Sequence, residues 1–330
     1  MSELVLVTGG SGYLGAHVVK AALAAGYRVR TTVRSLSKAD AVRTAVGAGP
    51  EAELEFVAAD LTSDLGWGAA VDGAAYVLHV ASPFPGSQPR NEQELIVPAR
   101  EGTLRVLRAA LAAGVKRVVL TSSFAAIGYG HGPSHPGVYT EADWTEVDGP
   151  NVPAYQKSKT LAERAAWDFV AEHPGLELVV VNPVGIFGPP LGPPDGTSVV
   201  ILRTAQRSPI VPNMRFGIVD VRDVADLELT AMTSPDAAGK RFLAVAAMSD
   251  LRQVANLLGR RPLLLPNWIV RAAAPVSGMA RSLAEEVGTS KEASSERART
   301  LLGWSPRPVE DTIKEMGSAL ATSRRRDTGG

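Results

Sequence analysis

Tyr155 and Lys159, in the stretch Tyr155-Gln156-Lys157-Ser158-Lys159, are four residues apart. On a helix, positions i and i+4 share a face, so the phenol and the ammonium lie side by side. A free phenol titrates near about 10, and a fixed cation beside it draws that value down, which suits a group that gives and takes a proton. Ser122 and Ser123 follow the apolar run 117–120, and a hydroxyl at Ser123 can polarise a carbonyl oxygen. Gly9, Gly12 and Gly15 follow another apolar run, 4–7. Glycines at this spacing between a strand and a helix form a dinucleotide site. The first permits a sharp turn, the second a close approach of backbone to pyrophosphate, and the third tight packing of helix on sheet.

These residues need strands that end at one edge and helices that start there. Strand patterns over 4–7, 28–33, 54–58, 75–80, 117–120 and 176–181 alternate with helix patterns over 16–25, 37–46, 91–113 and 155–172. That alternation predicts an α/β doubly wound parallel sheet. A Gly/Pro-rich loop covers 128–153, and the alternation stops beyond Pro183. Shorter elements follow over 199–206, 224–232, 241–246, 251–258, 267–283 and 295–302, and the tail from Ser323 reads as frayed. The expected division is a nucleotide-binding domain over 1–182 and a smaller, partly interwoven substrate-binding domain over 183–330, with some segments packing back on the first.

The second strand ends at Arg34 with no carboxylate before Asp40, and Lys38 lies four residues on. A carboxylate there would hold the ribose hydroxyls of NAD, whereas arginine suits a 2′-phosphate, so NADP(H) is expected. Asp60 and Leu61 end the third strand, near the adenine, and Ala81 and Ser82 end the fourth, under the pyrophosphate and ribose. With Thr8, Gly9, Gly12, Tyr13, Leu14 and Gly15 they form the expected cofactor cradle. Phe84, Pro85, Phe124, Ile127, Tyr129, Ile186 and Phe187 flank the same edge and predict a pocket for a hydrophobic or aromatic compound.

The 330-residue chain carries 34 basic and 34 acidic residues, so no charge excess points to nucleic acid or a membrane surface. It has no cysteine, which excludes disulfides, thiolate metal sites and cysteine nucleophiles. His131 and His135 are four apart in a Gly/Pro loop without a third ligand, so no metal is expected. A first strand starting at Leu4 leaves no room for a signal peptide, and no apolar run is long enough to span a bilayer, which predicts a cytoplasmic protein.

The chain resembles the extended short-chain dehydrogenases/reductases, and within them the dihydroflavonol reductase, cinnamoyl-CoA reductase and fungal methylglyoxal/ketone reductase group. The resemblance rests on Thr8 to Gly15, Val29 to Arg34, His79 to Phe84, Glu94 to Ala99 with Glu101-Gly102-Thr103, Leu120 to Phe124, and Tyr155 to Glu163. It continues through Val181-Asn182-Pro183, Phe187-Gly188-Pro189 and Val219 to Asp223, as far as Leu302-Gly303-Trp304. It implies Ser123, Tyr155 and Lys159 as the catalytic triad, selecting Ser123 over Ser122. It implies Arg34 and Lys38 on the 2′-phosphate, and Pro183 and Val184 beside the nicotinamide. It further implies an NADPH-dependent reduction of a carbonyl compound, reversible as alcohol oxidation, by a monomer or homodimer. In that scheme Lys159 holds the nicotinamide ribose and keeps Tyr155 acidic. Other readings are a nucleotide-sugar epimerase or hydroxysteroid dehydrogenase of the same fold, or a silent dinucleotide sensor. Phe124-Ala125 after Ser123 counts against a sugar dehydratase, Arg34 against a tightly held NAD, and the retained Tyr155 and Lys159 against a sensor.

Overall fold

The computed structural model describes residues 2–83, 91–132, 137–193, 196–276, 284 and 286–327. Seven parallel strands make the central sheet: β1 (Leu4–Thr8), β2 (Arg28–Val33), β3 (Leu54–Ala58), β4 (Tyr76–His79), β5 (Arg117–Thr121), β6 (Glu177–Pro183) and β10 (Arg241–Ala244). Their order is β10-β6-β5-β4-β1-β2-β3, so the chain reverses direction across the sheet between β1 and β4. β1 is buried along its whole length, as a strand covered on both faces must be. Its side chains alternate between layers. Val5 and Val7 pack with α1 (Tyr13–Ala24), α2 (Ala39–Val46) and α7 (Val221–Thr233). Leu4 and Leu6 pack toward α3 (Trp67–Val71), α4 (Gln93–Ala112) and α5 (Ala154–Glu172).

Beyond β6 the chain builds smaller elements. β7 (Gly185–Phe187), β9 (Arg215–Asp220) and β11 (Ala247–Asp250) form a three-stranded sheet, and β8 (Ile210–Pro212) pairs with β12 (Leu263–Leu265). α6 (Thr197–Arg207), α8 (Leu251–Leu257) and α9 (Asn267–Ala273) accompany them, followed by α10 (Glu296–Leu302) and α11 (Val309–Asp327). Two segments return to the first half: β10 becomes the outermost strand of the main sheet, and the α7 core residues Val224, Leu227 and Met232 join the cluster around α1. The sheet is therefore continuous across residue 182.

Several expectations change here. The run 241–246 ends as a strand at Ala244, because the chain then crosses to the small sheet at Ala247. The pattern over 267–283 is helical only through Ala273; residues 277–283 lie outside the described residues. The tail expected to fray from Ser323 continues the backbone of α11 to Asp327, on a helix anchored earlier by buried Ile313, Met316 and Leu320. Among the described residues, no helix is long and apolar enough to cross a membrane, and no cluster of His, Asp and Glu could hold a metal.

Glu228 of α7 is fully buried against the end of β5, where it accepts the Thr121 hydroxyl at 2.5 Å. Burial pushes its carboxyl up to about 8 from an ordinary 4.5. Between those values the unfolded chain is ionised and the folded chain keeps its proton. Folding then takes up a proton, and stability falls as pH rises through the window. Glu228→Gln is accordingly expected to melt at least about 3 °C above the parent near pH 8.5 and to converge with it near pH 4.5. Equal melting temperatures at the higher pH would contradict a buried, neutral carboxyl.

Candidate active site and dinucleotide cradle

The glycine loop is shaped by close backbone contacts. Gly9 turns off β1 with φ +74, and a Cβ there would lie 3.1 Å from Ala81. Gly15 sits against the Gly9 carbonyl, where an added Cβ would come within 2.2 Å of that oxygen. Gly12 is the exposed N-cap residue of α1, with no side-chain cap and no acidic residue in the first turn. The N–H groups of Tyr13, Leu14 and Gly15 thus have no partner inside the helix and face the loop, with the positive end of the dipole behind them. A pyrophosphate fits this arrangement. Thr8 is fully buried and acts from behind: its hydroxyl contacts His79 Nδ1 at 2.8 Å and accepts the Ala81 N–H at 2.9 Å, fixing the β4 loop against the glycine loop. The Leu14 side chain joins the core rather than the cradle. The Tyr13 hydroxyl donates to the Gly188 carbonyl at 2.7 Å, tying the helix to the second half.

Arg34 and Lys38 lie at the open end of β2. Both side chains are exposed and make no hydrogen bond or ion pair with any other described residue. Arg34 also acts at a distance on Asp60, whose carboxylate is held below its ordinary value chiefly by the Thr62 hydroxyl and N–H. Leu61 is half-buried beside Asp60, against Gly102 of α4. Two exposed cations beside a helix-start phosphate cradle suit a dinucleotide carrying an extra phosphate.

Tyr155 is in the first turn of α5, which Pro153 starts in an extended conformation. The Ser123 side chain is the group that acts on its hydroxyl against the effect of burial. Ser123 leaves β5 with extended backbone and takes the Ala125 N–H at 3.1 Å, which holds its rotamer. One turn along α5, Lys159 is buried and donates to the Thr121 carbonyl at 3.5 Å. Burial lowers its ammonium to about 8, with Glu163 opposing the fall. The phenol departs from expectation. Burial raises Tyr155, and Ser123, rather than Lys159, supplies the offset. Away from water and with the cation turned toward Thr121, the hydroxyl stays protonated at neutral pH, the form a proton donor needs.

Ser122 points to the other side, donating to Glu163 at 2.5 Å, so the serine beside Tyr155 is Ser123. Ala81, Ser82, Ser122, Lys159 and Glu163 line one small cavity between the sheet and helices α4 and α5. Pro183 is buried at the end of β6, and Val184, half-buried, donates its N–H to Ala244 at 3.1 Å. Phe124 meets Tyr129 and Tyr139 edge-on, with centroids 6.2 and 5.6 Å apart. Ile186 is half-buried nearby on β7. Ile127 and Phe187 are corrected: both are fully buried in packing clusters, with Tyr139, Leu243 and Val245 around the first and Leu202 and Ile218 around the second. Phe84, Pro85 and His135 lie outside the described residues; His131 contacts the Ile127 carbonyl at 3.2 Å. Sequence reading passed over Glu163, Asn182 and Arg241, which surround the same site. Glu163 had a signal, since it falls one further turn beyond Lys159 on the same helix face.

A model of the NAD dependent epimerase/dehydratase family matches residues 5–245. Cinnamoyl-CoA reductase of Medicago truncatula is 34% identical, covering 97% of this chain and 96% of that protein. The NADPH-dependent methylglyoxal reductase of Saccharomyces cerevisiae is 30% identical, covering 96% and 97%. The crystal structure of yeast methylglyoxal/isovaleraldehyde reductase Gre2 complexed with NADPH superposes with a TM-score of 0.81 at 27% identity, over 98% of this chain and 99% of that one. A glycine cradle at the sheet's switch point, a Ser–Tyr–Lys group at its edge and these similarities agree: the chain belongs to the NAD dependent epimerase/dehydratase family, the extended short-chain dehydrogenases/reductases, in the group of the cinnamoyl-CoA and methylglyoxal reductases.

Proposed function

We propose that this protein reduces hydrophobic or aromatic ketones and aldehydes to alcohols with NADPH and catalyses the reverse oxidation. The observation that carries this reading is Lys159, buried one helical turn beyond Tyr155 on α5, with the Ser123 side chain acting on the Tyr155 hydroxyl. The cofactor is NADP(H), with which Arg34, Lys38 and the helix-start loop are compatible, and NADPH supplies the hydride when bound. Ser123 and Tyr155 present two hydroxyls to the carbonyl oxygen, polarising it as negative charge develops. The Tyr155 O–H bond breaks as the alcohol O–H forms, leaving a phenolate one helical turn from the Lys159 ammonium. Phe124, next to Ser123 in the chain, and Tyr129 are half-buried and edge-on to each other, an aromatic wall that supports a substrate with an apolar or planar body. A sugar substrate would need polar partners at that wall.

Two variants test the reading. Tyr155→Phe should lower kcat at least about 100-fold while the NADPH Kd stays within about threefold; unchanged turnover would remove Tyr155 from the chemistry. Arg34→Ala should weaken NADPH binding by roughly tenfold or more and NADH binding by less than about threefold, read by nicotinamide fluorescence titration. Equal losses for the two cofactors would contradict a phosphate contact at Arg34.

A further inference from the structure

Glu163 is fully buried yet carries four donors. Its Oε2 accepts the Ser122 hydroxyl at 2.5 Å and the Asn182 amide at 2.8 Å. Its Oε1 accepts the Arg241 guanidinium at 2.6 Å and the Trp167 indole N–H at 3.4 Å. One carboxylate thus ties the ends of β5 and β6 and the start of β10 to the helix that carries Tyr155 and Lys159. Asn182 also donates to the Ser123 carbonyl at 3.2 Å, so the carboxylate orients the residue that holds the reactive serine's backbone. Arg241 is itself buried, stacked 3.8 Å over Trp144 and donating to the Glu141 and Asp143 carbonyls.

We propose that Glu163 is a positioning residue for carbonyl reduction: its carboxylate, clamped by Ser122, Asn182 and Arg241, keeps Lys159 charged in a dry layer and holds Ser123 in line with Tyr155. This rests on the reductase reading above. A buried ammonium loses its proton unless a negative charge faces it, and Glu163 lines the same cavity as Lys159. The other groups around Lys159 do not supply that charge. His79, from β4, is uncharged, because burial, and then Lys159, lowers it to about 3. From α4 the facing residues are Ala99 and Thr103, and from the strand-end loops Ala81, Ser82 and Ser122. Glu228, from α7, stands behind Thr121 as an acid that keeps its proton up to about pH 8, and Arg241, on β10, is a cation.

Glu163→Gln keeps the side chain's shape and an acceptor but removes the charge. Near pH 8.5 its kcat should fall about five- to tenfold, and near pH 6 less than about threefold, so the alkaline limb moves down by roughly one unit. Arg241→Gln should leave that limb in place or move it up, since it strips away the opposing cation. An equal loss at every pH in Glu163→Gln, or the same downward shift in Arg241→Gln, overturns the proposal. If Glu163→Gln does not fold, Ser122→Ala decides: kcat should fall about fivefold with KM within about twofold, and a parental kcat overturns the proposal. Tyr155→Phe run alongside separates the failures. An active Tyr155→Phe sinks the reductase reading, whereas an inactive one with a pH-independent Glu163→Gln defect sinks only this inference.

Discussion

Parallel pairing is the constraint from which the site follows. Because Thr8 pairs with His79 and Thr121 with Val181 in neighbouring parallel strands, all of these strands deliver their last residues to one edge. Helix N-termini return to that same edge, and the reversal of strand order between β1 and β4 opens a crevice there. The glycine loop, the Ala81–Ser82 segment and Ser123 are three successive consequences of that geometry. Each strand needs only a short, permissive segment at its end. Gly9 and Gly15 supply it where side chains would collide with Ala81 and with the loop's own carbonyl.

The same edge concentrates polar groups in a layer with little water. His79, Lys159, Glu163, Glu228 and Arg241 are all buried, a costly choice that only mutual pairing and proton uptake can offset. Burial does chemical work here. It keeps Tyr155 protonated, leaves Glu228 and His79 neutral, and brings Lys159 to about 8, so the layer holds few net charges at neutral pH. The ion pair of Glu163 with Arg241 joins the helix that carries Tyr155 and Lys159 to the strand that returns from the second half. The reductase activity and the packing of the two halves therefore share side chains.

The second half braces the first more than it stands beside it. Tyr13 and His17 of α1 bond to the carbonyls of Gly188 and Pro189, the latter at 3.0 Å. Asp220 caps α7 through the Arg222 N–H at 2.9 Å, and Arg307 pairs with Asp223 in the following turn at 2.8 Å. The loop around Tyr139, whose ring packs edge-on against Phe124, is held by backbone bonds to Glu292 and Ser294. The loop beside Phe124 is thereby set by residues far from it in the chain.

The sequence by itself determined the parallel sheet, the glycine cradle, the Tyr155–Lys159 pair and the cations at Arg34 and Lys38. Those signals are local: strand hydrophobicity, glycine spacing and the i, i+4 geometry of one helix each lie within a few residues. Tertiary structure alone decided that β10 would complete the main sheet and that the short elements β7, β8, β9, β11 and β12 would form at all, since pairing partners distant in sequence define them. It also decided which apolar residues pack and which line a wall, giving Ile127 and Phe187 to the core. And it reversed the expected influence on Tyr155, because a phenol's proton affinity depends on how much water burial removes and where the nearest cation points, neither of which spacing along a helix records.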